Sequence, residues 1–511
     1  MQTLDLVIIF GYLIGITAFG ILFSGKQETT DDYFVGDRSV PWWAIAMSIV
    51  ATETSTITFV SVPGVAFAKG GNFQFLQLVF GYMLGRVVIS LIFIPLYFKG
   101  ELQTVYQLLG DRFGNKVKML ASALFVVMRN IADGIRLLLT AIVLAAVYAS
   151  FNHGGNSTTI IIGSIVLLGV VMIVFTFYGG MEAVIWVEVV QLVIYIGGAV
   201  AAAIVLVQNI DGGLSTVLSV GSQFDKFDVF DFSLDFAKTY TFWGGLIGGC
   251  FLTMSTHGTD QYLVQRYLCT SKPRSAATAL LTSGAVVLAQ FIGFLFIGAL
   301  LFAFYAPYKA AEYAQAGVAG SGVASTFPFL RPDAVFPNFI TEHMPAGLSG
   351  LVVAAIFAAA LSSSLNSIAA TAINDLYKPF KKAISDQQLV RLAGWLTVIV
   401  GIVQILVAIA FMQTGESALN LALSVASLFN GPVLGVFLVG TFLKRATETH
   451  ALTGMIASSV LMLYILLASS KLVPGPVIAW PWYALIGSVT TFAVTFIASL
   501  VISSKSNEVL E

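Results

Sequence analysis

Long apolar runs recur along the whole chain and are separated by short polar segments. About 20 consecutive apolar residues span the hydrocarbon core of a bilayer as a helix. The strict alternation of a transmembrane β-barrel is absent from the sequence. The pattern therefore predicts an all-α membrane protein with about thirteen transmembrane helices, at approximately 4–24, 41–67, 74–98, 118–149, 158–178, 183–208, 240–262, 276–306, 346–374, 391–413, 418–442, 451–472 and 481–503.

Composition agrees with this pattern, since 58% of the 511 residues are hydrophobic and only 10% are charged. Lys and Arg concentrate in the segments that are cytoplasmic if the N-terminus lies outside, so the positive-inside rule predicts an external N-terminus and a cytoplasmic C-terminus. The formal net charge of −1 and the scattered basic residues offer no surface for nucleic acid. The lipid bilayer is the expected surrounding, and no obligate protein partner is indicated.

Two of the predicted helices are interrupted at matching places. The mostly polar segment ATETST at 51–56 interrupts the second span, and STHGTD at 255–260 interrupts the seventh. Broken helices five spans apart are typical of transporters that consist of two inverted repeats around a midplane site. We predict a single polytopic membrane domain over 1–511, divided into an extra N-terminal helix and loop (1–40), a first inverted repeat (41–208), a second inverted repeat (240–442) and additional C-terminal helices (443–511).

Several ionisable side chains fall at bilayer depth, where each costs roughly 2.5 kcal/mol or more unless it has a partner or a watery cavity. Arg129, Asp133 and Arg136 share one helix face because they are spaced at i, i+4 and i+7. This spacing fits contact with a solute and a structural ion-pair ladder equally well. The ionisable residues that we expect near a solute are Glu53, Arg129, Asp133, Arg136, His257 and Asp260.

A cation site is expected where hydroxyls, freed backbone carbonyls and a carboxylate meet at mid-membrane. Residues 362–364 place three serines in an apolar helix, and Glu188 supplies a carboxylate at similar depth. All-oxygen sites suit hard cations, although helix packing alone also accommodates such serines.

The sequence has no His-Glu-x-x-His motif and no glycine-rich phosphate loop after a strand. We therefore predict that the protein is not an enzyme.

Several segments resemble the sodium/solute symporter family. They are DYFVGDR at 32–38, GGMEAVIW at 179–186, GTDQ at 258–261 with VQR at 264–266, and GPVLG at 431–435. The resemblance implies a leucine-transporter-type fold with a five-plus-five inverted repeat. It also implies cation-coupled symport, by alternating access, of a small polar solute such as a sugar, a sugar acid or another carboxylate. The expected location is a bacterial inner (plasma) membrane.

The segment ATETSTITFVSVP at 51–63 is most similar to the bacterial sialic-acid symporters. The carboxylate-binding arginine of those proteins falls at Ala132 here, with Arg129 and Arg136 about one turn to either side. Glu53 is a charged departure from a simple copy of the family site. The residues that the resemblance places near the solute are Ser55, Thr56, Thr58, Phe73 and Gln77.

The resemblance implies two sodium sites, and this sequence matches them to different extents. The backbone carbonyls of Ala51 and Thr54 correspond to ligands of the usual sodium site. Ala359 and Ala360, however, stand where the family carries two adjacent hydroxyl residues, so that site lacks two of its usual ligands.

The family's second, optional sodium site matches more closely. Ser362 and Ser363 occupy its hydroxyl positions, and Glu188 replaces an aspartate. Sodium is the expected coupling ion. Proton coupling through Glu188 or uniport on the same fold is the alternative, and a channel or membrane sensor is a remote one.

Overall fold

A computed structural model provides the fold. Regular structure in the residues that it describes is entirely helical, as the apolar pattern predicts. Those residues are 1–23, 38–99, 102, 104–151, 157–178, 181–306, 329, 332–361, 364–381, 385–413 and 418–501.

The N-terminal half of the chain contains ten helices among the described residues. Two of them, α2 and α3, together cover the second predicted span. The ten are α1 (Thr3–Phe23), α2 (Trp42–Glu53), α3 (Thr56–Phe67), α4 (Leu76–Ile92), α5 (Ile94–Tyr97), α6 (Gln107–Phe113), α7 (Asn115–Phe151), α8 (Ser157–Tyr178), α9 (Met181–Gln208) and α10 (Gly213–Gln223).

The C-terminal half begins with a π-helical turn, Gly244–Gly248, that leads directly into α11. A second π-helical stretch, Ala372–Tyr377, follows α16. The helices of this half are α11 (Gly249–Thr259), α12 (Gln261–Leu268), α13 (Pro273–Tyr305), α14 (Val335–His343), α15 (Leu348–Leu361), α16 (Leu365–Thr371), α17 (Asp386–Ala410), α18 (Ala418–Phe442), α19 (Glu448–Ser469) and α20 (Tyr483–Val501).

Eight described helices are long and apolar enough to cross a membrane as single spans, and the bent pair of α2 and α3 adds a ninth. Shorter apolar stretches occur in α1, α8 and α15. Every predicted span coincides with a helix or with a pair of consecutive helices. The exact number of crossings stays a prediction.

Small residues bring α4 and the start of α11 into backbone contact. A Cβ added at Gly245 would lie 2.6 Å from the carbonyl carbon of Gln77, and one added at Gly249 would lie 2.6 Å from the carbonyl oxygen of Leu78. Glycine is required at both positions because any side chain would push the helices apart. This contact sets the second broken helix against the helix that follows the first broken helix.

Asp5 fixes the N-terminal helix to α15. Its carboxylate accepts the amide hydrogens of Gly347 (2.6 Å) and Gly350 (3.0 Å) and the hydroxyl hydrogen of Ser349 (2.8 Å). These are orphan donors at the start of α15, so Asp5 caps that helix from another element. The extra N-terminal helix therefore supports the helix that precedes the serine-rich segment in the sequence.

Candidate solute-binding site

The first break separates α2 from α3 and presents a helix N-terminus to the interior of the bundle. The two helices are bent by 56°. The amide and the hydroxyl of Thr54 both donate to the carbonyl of Val50, at 2.7 and 2.6 Å. Within the described residues, the N-cap Ser55 makes no side-chain capping bond. The first amides of α3 are thus available to an anion.

The second break lies between α11 and α12 and is closed by Asp260. The Asp260 carboxylate accepts the amide hydrogen of Tyr262 at 2.9 Å and so caps α12. It also forms an ion pair with Arg129 of α7. Asp260 is fully buried. Because the helix amide and the arginine together satisfy the Asp260 carboxylate, this break has a structural role.

A cavity of about 170 Å³ lies between the two breaks and is walled by residues of both broken helices and of α4, α7, α13 and α18. Apolar side chains form about half of the lining, which is typical of a small-molecule site with a few orienting polar groups. The polar lining residues are Thr52, Glu53, Ser55, Thr58, Tyr82, Arg129, Arg136, Thr253, Thr256, His257 and Tyr262.

Glu53 is the carboxylate on the wall of this cavity. It pairs with Arg86 and with His257. Arg86 also donates to the hydroxyl of Ser283 at 3.2 Å, and Nδ1 of His257 lies 2.9 Å from the hydroxyl of Tyr267. Arg86 and His257 are buried, whereas the Glu53 side chain is 16% exposed. The cluster joins both broken helices to α4 and α13 and turns one carboxylate onto the cavity.

Three arginines surround the aromatic ring of Tyr262. The guanidinium carbons of Arg266, Arg129 and Arg136 lie 4.5, 4.6 and 5.8 Å from the ring centroid, within the range of cation–π attraction. Arg129 and Arg136 also line the cavity. Among the described residues their buried Nε–H groups have no hydrogen-bond acceptor. The two side chains nevertheless remain 10% and 9% exposed, so they present guanidinium charge to an acceptor in the cavity.

The arginines around the cavity all have acidic partners in the protein. An uncompensated charge at bilayer depth is costly, which explains why each cation comes with a carboxylate. The charges of the four pairs cancel. The pairs are Arg86 with Glu53, Arg129 with Asp260, Arg136 with Asp133 (3.4 Å) and Arg266 with Glu188 (2.5 Å).

The structure brings most of the sequence-predicted solute residues to this cavity or directly behind it. Asp133 and Asp260 lie behind the wall as partners of two arginines. Thr56 bonds instead to neighbouring helices, since its hydroxyl donates to the carbonyl of Ile356 at 3.2 Å and accepts from Thr140 at 3.3 Å. The predicted residues that line the cavity are Glu53, Ser55, Thr58, Arg129, Arg136 and His257.

Phe73 and Gln77 lie outside the cavity lining, where they hold the loop that follows α10. The Phe73 amide donates to the carbonyl of Asp228 at 3.0 Å. The side-chain oxygen of Gln77 accepts the amide hydrogen of Asp231 at 2.9 Å, and its nitrogen donates to the carbonyl of Gln74 at 3.1 Å. Both residues thus have a structural role, and their contact with a solute stays a prediction.

Glu188 lies beside α2 and is already engaged by an arginine. Its carboxylate accepts from Arg266 at 2.5 and 3.3 Å, from Thr52 at 3.2 Å and from Ser48. A cation bound at this carboxylate would have to share it with the Arg266 guanidinium. In the part of the chain that the structure describes, no three His, Cys, Asp or Glu residues cluster as metal ligands.

The other predicted cation ligands are described only in part. Ala51 and Thr54 lie at the end of α2, where the Thr54 hydroxyl lies 2.6 Å from the side-chain oxygen of Gln290. The neighbouring Ser364 donates to Asp133. Residues 362 and 363, and the side chains of residues 359 and 360, lie outside the described residues.

Sequence reasoning overlooked Tyr262 and did not pair Arg266 with Glu188. A signal for both was present. Tyr262 and Arg266 are four residues apart on a short helix and therefore share one face. An arginine at bilayer depth requires a carboxylate on a facing helix, and Glu188 is an acidic residue in the second turn of α9.

Comparisons with known proteins place this geometry in context. Residues 33–458 match the sodium:solute symporter family. The chain is 31% identical to the sodium/sialic acid symporter NanT of Aliivibrio fischeri, over 91% of this chain and 88% of that protein. It is 32% identical to the sodium/sialic acid symporter SiaT of Proteus mirabilis, over 90% and 89%.

A solved structure supports the same assignment. The substrate-bound, outward-open state of a Na⁺-coupled sialic acid symporter matches with a TM-score of 0.82 and 29% identity, over 98% of both chains. This agreement confirms the predicted all-α, leucine-transporter-type fold class.

Proposed function

The chain belongs to the sodium:solute symporter family, and on that premise we propose that its solute is a small hydroxylated organic acid. As a member of this family, the protein is a multi-pass, sodium-coupled secondary transporter of a small solute and not an enzyme. Sodium is therefore the coupling ion, which the sequence alone left open against a proton. The identity of the solute rests on the chemistry of the cavity.

The observation that carries the proposal is the pair of cavity-lining side chains of Arg129 and Arg136, which remain 10% and 9% exposed. A carboxylate accepts charge-assisted hydrogen bonds from guanidinium groups better than a neutral oxygen does. The available N-terminus of α3 adds backbone amides and a positive helix-dipole end. Together they form a site for the acid group of the solute.

Glu53 supports the second half of the proposal, the hydroxyl groups. Its carboxylate is exposed to the cavity and, when ionised, can only accept hydrogen bonds. A solute with hydroxyl hydrogens satisfies this acceptor, whereas a hydrocarbon tail would desolvate it without compensation. Two relatives are named as sialic acid symporters, and sialic acid is a hydroxylated sugar acid.

Charge balance gives a physical reason for coupling. The four acid–base pairs around the cavity sum to zero, so an incoming carboxylate adds one uncompensated negative charge in a medium of low dielectric. One sodium ion restores neutrality. We propose that the ion binds at the first break or beside α9, where the candidate ligands are Ala51, Thr54 and Glu188. Ser362 and Ser363, which lie outside the described residues, stay candidate ligands from the sequence.

Transport then follows from alternating access around these two broken helices. The solute and sodium bind together near the breaks, one repeat moves against the other, and both are released on the other side. We place the protein in a bacterial inner membrane because the relatives NanT and SiaT are bacterial. We orient it with its N-terminus outside from the distribution of Lys and Arg.

Uptake into proteoliposomes tests this function. With an imposed inward sodium gradient, labelled sugar acids should accumulate, and unlabelled acids should compete better than their amides. The variant Arg136→Gln should raise the KM for the acid roughly 10- to 100-fold, the equivalent of one charged hydrogen bond. Arg274→Gln, at an exposed position on the first turn of α13, is the matched control and should leave KM unchanged.

Two results would contradict the proposal. Equal competition by acids and amides would remove the carboxylate from the recognition argument. An Arg136→Gln variant with wild-type KM and normal folding would show that this arginine serves only the protein's internal ion pairs.

A further inference from the structure

Apolar and acidic residues alternate in the segment between α10 and α11. The sequence from Phe224 to Phe236 reads FDKFDVFDFSLDF, and residues 228–235 adopt neither helix nor turn. Phe230 and Phe232 are 54% and 62% exposed. Exposed aromatic rings in a row are unusual for a loop surrounded by water.

These rings form a continuous surface, here called the aromatic rim, made of Phe230, Phe232, Phe242 and Trp243. The rings of Phe230 and Phe232 stack at 5.7 Å, those of Phe232 and Phe242 lie 4.9 Å apart, and Phe242 meets Trp243 edge-on at 5.2 Å. The rim is therefore one ordered apolar patch rather than a set of scattered side chains.

The aromatic rim continues the lipid-facing surface of the bundle. Phe230 stacks on Phe80 of α4 at 6.1 Å. One turn further along α4, Leu84 is exposed, and Ile247 is exposed beside Trp243 at the start of the second broken helix. Since exposed apolar residues on spanning helices face the acyl chains, the rim extends that apolar surface beyond the ends of these helices.

The opposite side of the segment is polar and holds the helix ends. Lys226 is buried, and its ammonium nitrogen lies 2.7–3.2 Å from four backbone carbonyl oxygens around the end of α3, which share its three hydrogens. Asp231 is bonded to Lys238, and this hydrogen bond lowers the pKa of the Asp231 carboxyl to about 2. The segment thus has one charged side and one aromatic side.

From this two-sidedness we infer that the aromatic rim docks into the lipid headgroup and acyl boundary at this end of the bundle. The partner is the bilayer itself, because the rim is continuous with the lipid-facing helices and its flanking carboxylates suit the water side. The segment then clamps the outer part of the first broken helix, through Lys226, to a surface fixed in the membrane interface. This is an interaction of the loop, and of the first residues of the helix that follows it, with lipid, and it is separate from the solute site.

Spin labelling measures the depth of the rim. A nitroxide is attached to Phe232→Cys and, as a matched control, to Gln223→Cys, an exposed polar position at the end of α10. Cys250 and Cys269 are both buried, and unsubstituted protein checks for background labelling. In liposomes of phosphatidylethanolamine and phosphatidylglycerol, the label at 232 should collide more with oxygen than with a water-soluble nickel chelate, and the label at 223 should show the reverse.

Two outcomes would overturn the inference. Greater accessibility to the nickel chelate at 232, as at 223, would place the rim in water. Strong spin–spin broadening at 232 that disappears on dilution with unlabelled protein would show that a second copy of the chain, not lipid, covers the rim. Correct folding of each labelled variant is checked by its sodium-driven uptake of sugar acids.

Discussion

Each of the two broken helices places a carboxylate at its break, but the two carboxylates are used in opposite ways. Asp260 begins the second half of its helix, caps that half and pairs with Arg129, and it is itself buried outside the cavity lining. Glu53 ends the first half of its helix, pairs with Arg86 and His257, and remains partly exposed to the cavity. The carboxylate of Asp260 therefore closes the second break, whereas the carboxylate of Glu53 at the first break faces the cavity.

The difference shows that the side of the break on which a carboxylate lies decides its role. An N-cap carboxylate is consumed by backbone amides, so Asp260 has little capacity left for a solute. A carboxylate at a helix C-terminus has no orphan amides nearby and is disfavoured by the helix dipole. Glu53 therefore depends on side-chain cations, and its second oxygen is available to a ligand.

The largest expected effect is that of Asp260→Ala. Removal of one partner from a buried pair costs roughly 3–5 kcal/mol, and loss of the cap adds about 1 kcal/mol. The variant should unfold at a much lower temperature in detergent, as measured by the fluorescence of a thiol probe, and should lose uptake. Asp235→Ala, at an exposed aspartate that bonds a loop amide, is the control and should behave as wild type.

A double variant shows whether this loss comes from the unpaired arginine. Asp260→Ala combined with Arg129→Gln removes both charges, so it should recover part of the stability that the single variant loses. If the double variant loses more stability than the two single variants lose when their losses are added, Asp260 does not act through Arg129.

The second prediction concerns Glu53→Gln, which keeps an acceptor for Arg86 but removes the charge from the cavity. We expect a smaller thermal shift than for Asp260→Ala and a change in solute selectivity. The KM for hydroxylated acids should rise about 10-fold, about 1.4 kcal/mol, while the KM for matched deoxy acids changes less. Competition uptake with pairs of hydroxy and deoxy acids measures this difference. An equal change for both members of each pair would assign Glu53 a structural role like that of Asp260.

Sequence patterns predicted the fold well because lipid imposes one strong rule, that backbone groups must be satisfied within helices. The breaks were visible for the same reason, since Glu53 and Asp260 interrupt apolar runs. Partners were harder to predict. Arg266 meets Glu188 across 78 residues of sequence, and Lys226 reaches the end of α3 across about 160. Such pairs depend on how helices cross, which one sequence does not encode in its local pattern.

The smallest expected effect is that of Gln77→Ala, which touches neither break. The resemblance to sialic-acid symporters predicts solute contact, whereas in the structure Gln77 holds the amide of Asp231. Loss of one such bond costs about 1 kcal/mol, so we expect a few-fold rise in KM that is the same for every solute. Hydrogen exchange of residues 224–243 should become faster, and Gln74→Ala, whose retained backbone carbonyl still meets Gln77, should leave it unchanged. A selectivity change without faster hydrogen exchange would instead place the polar side chain of Gln77 in contact with the solute during transport.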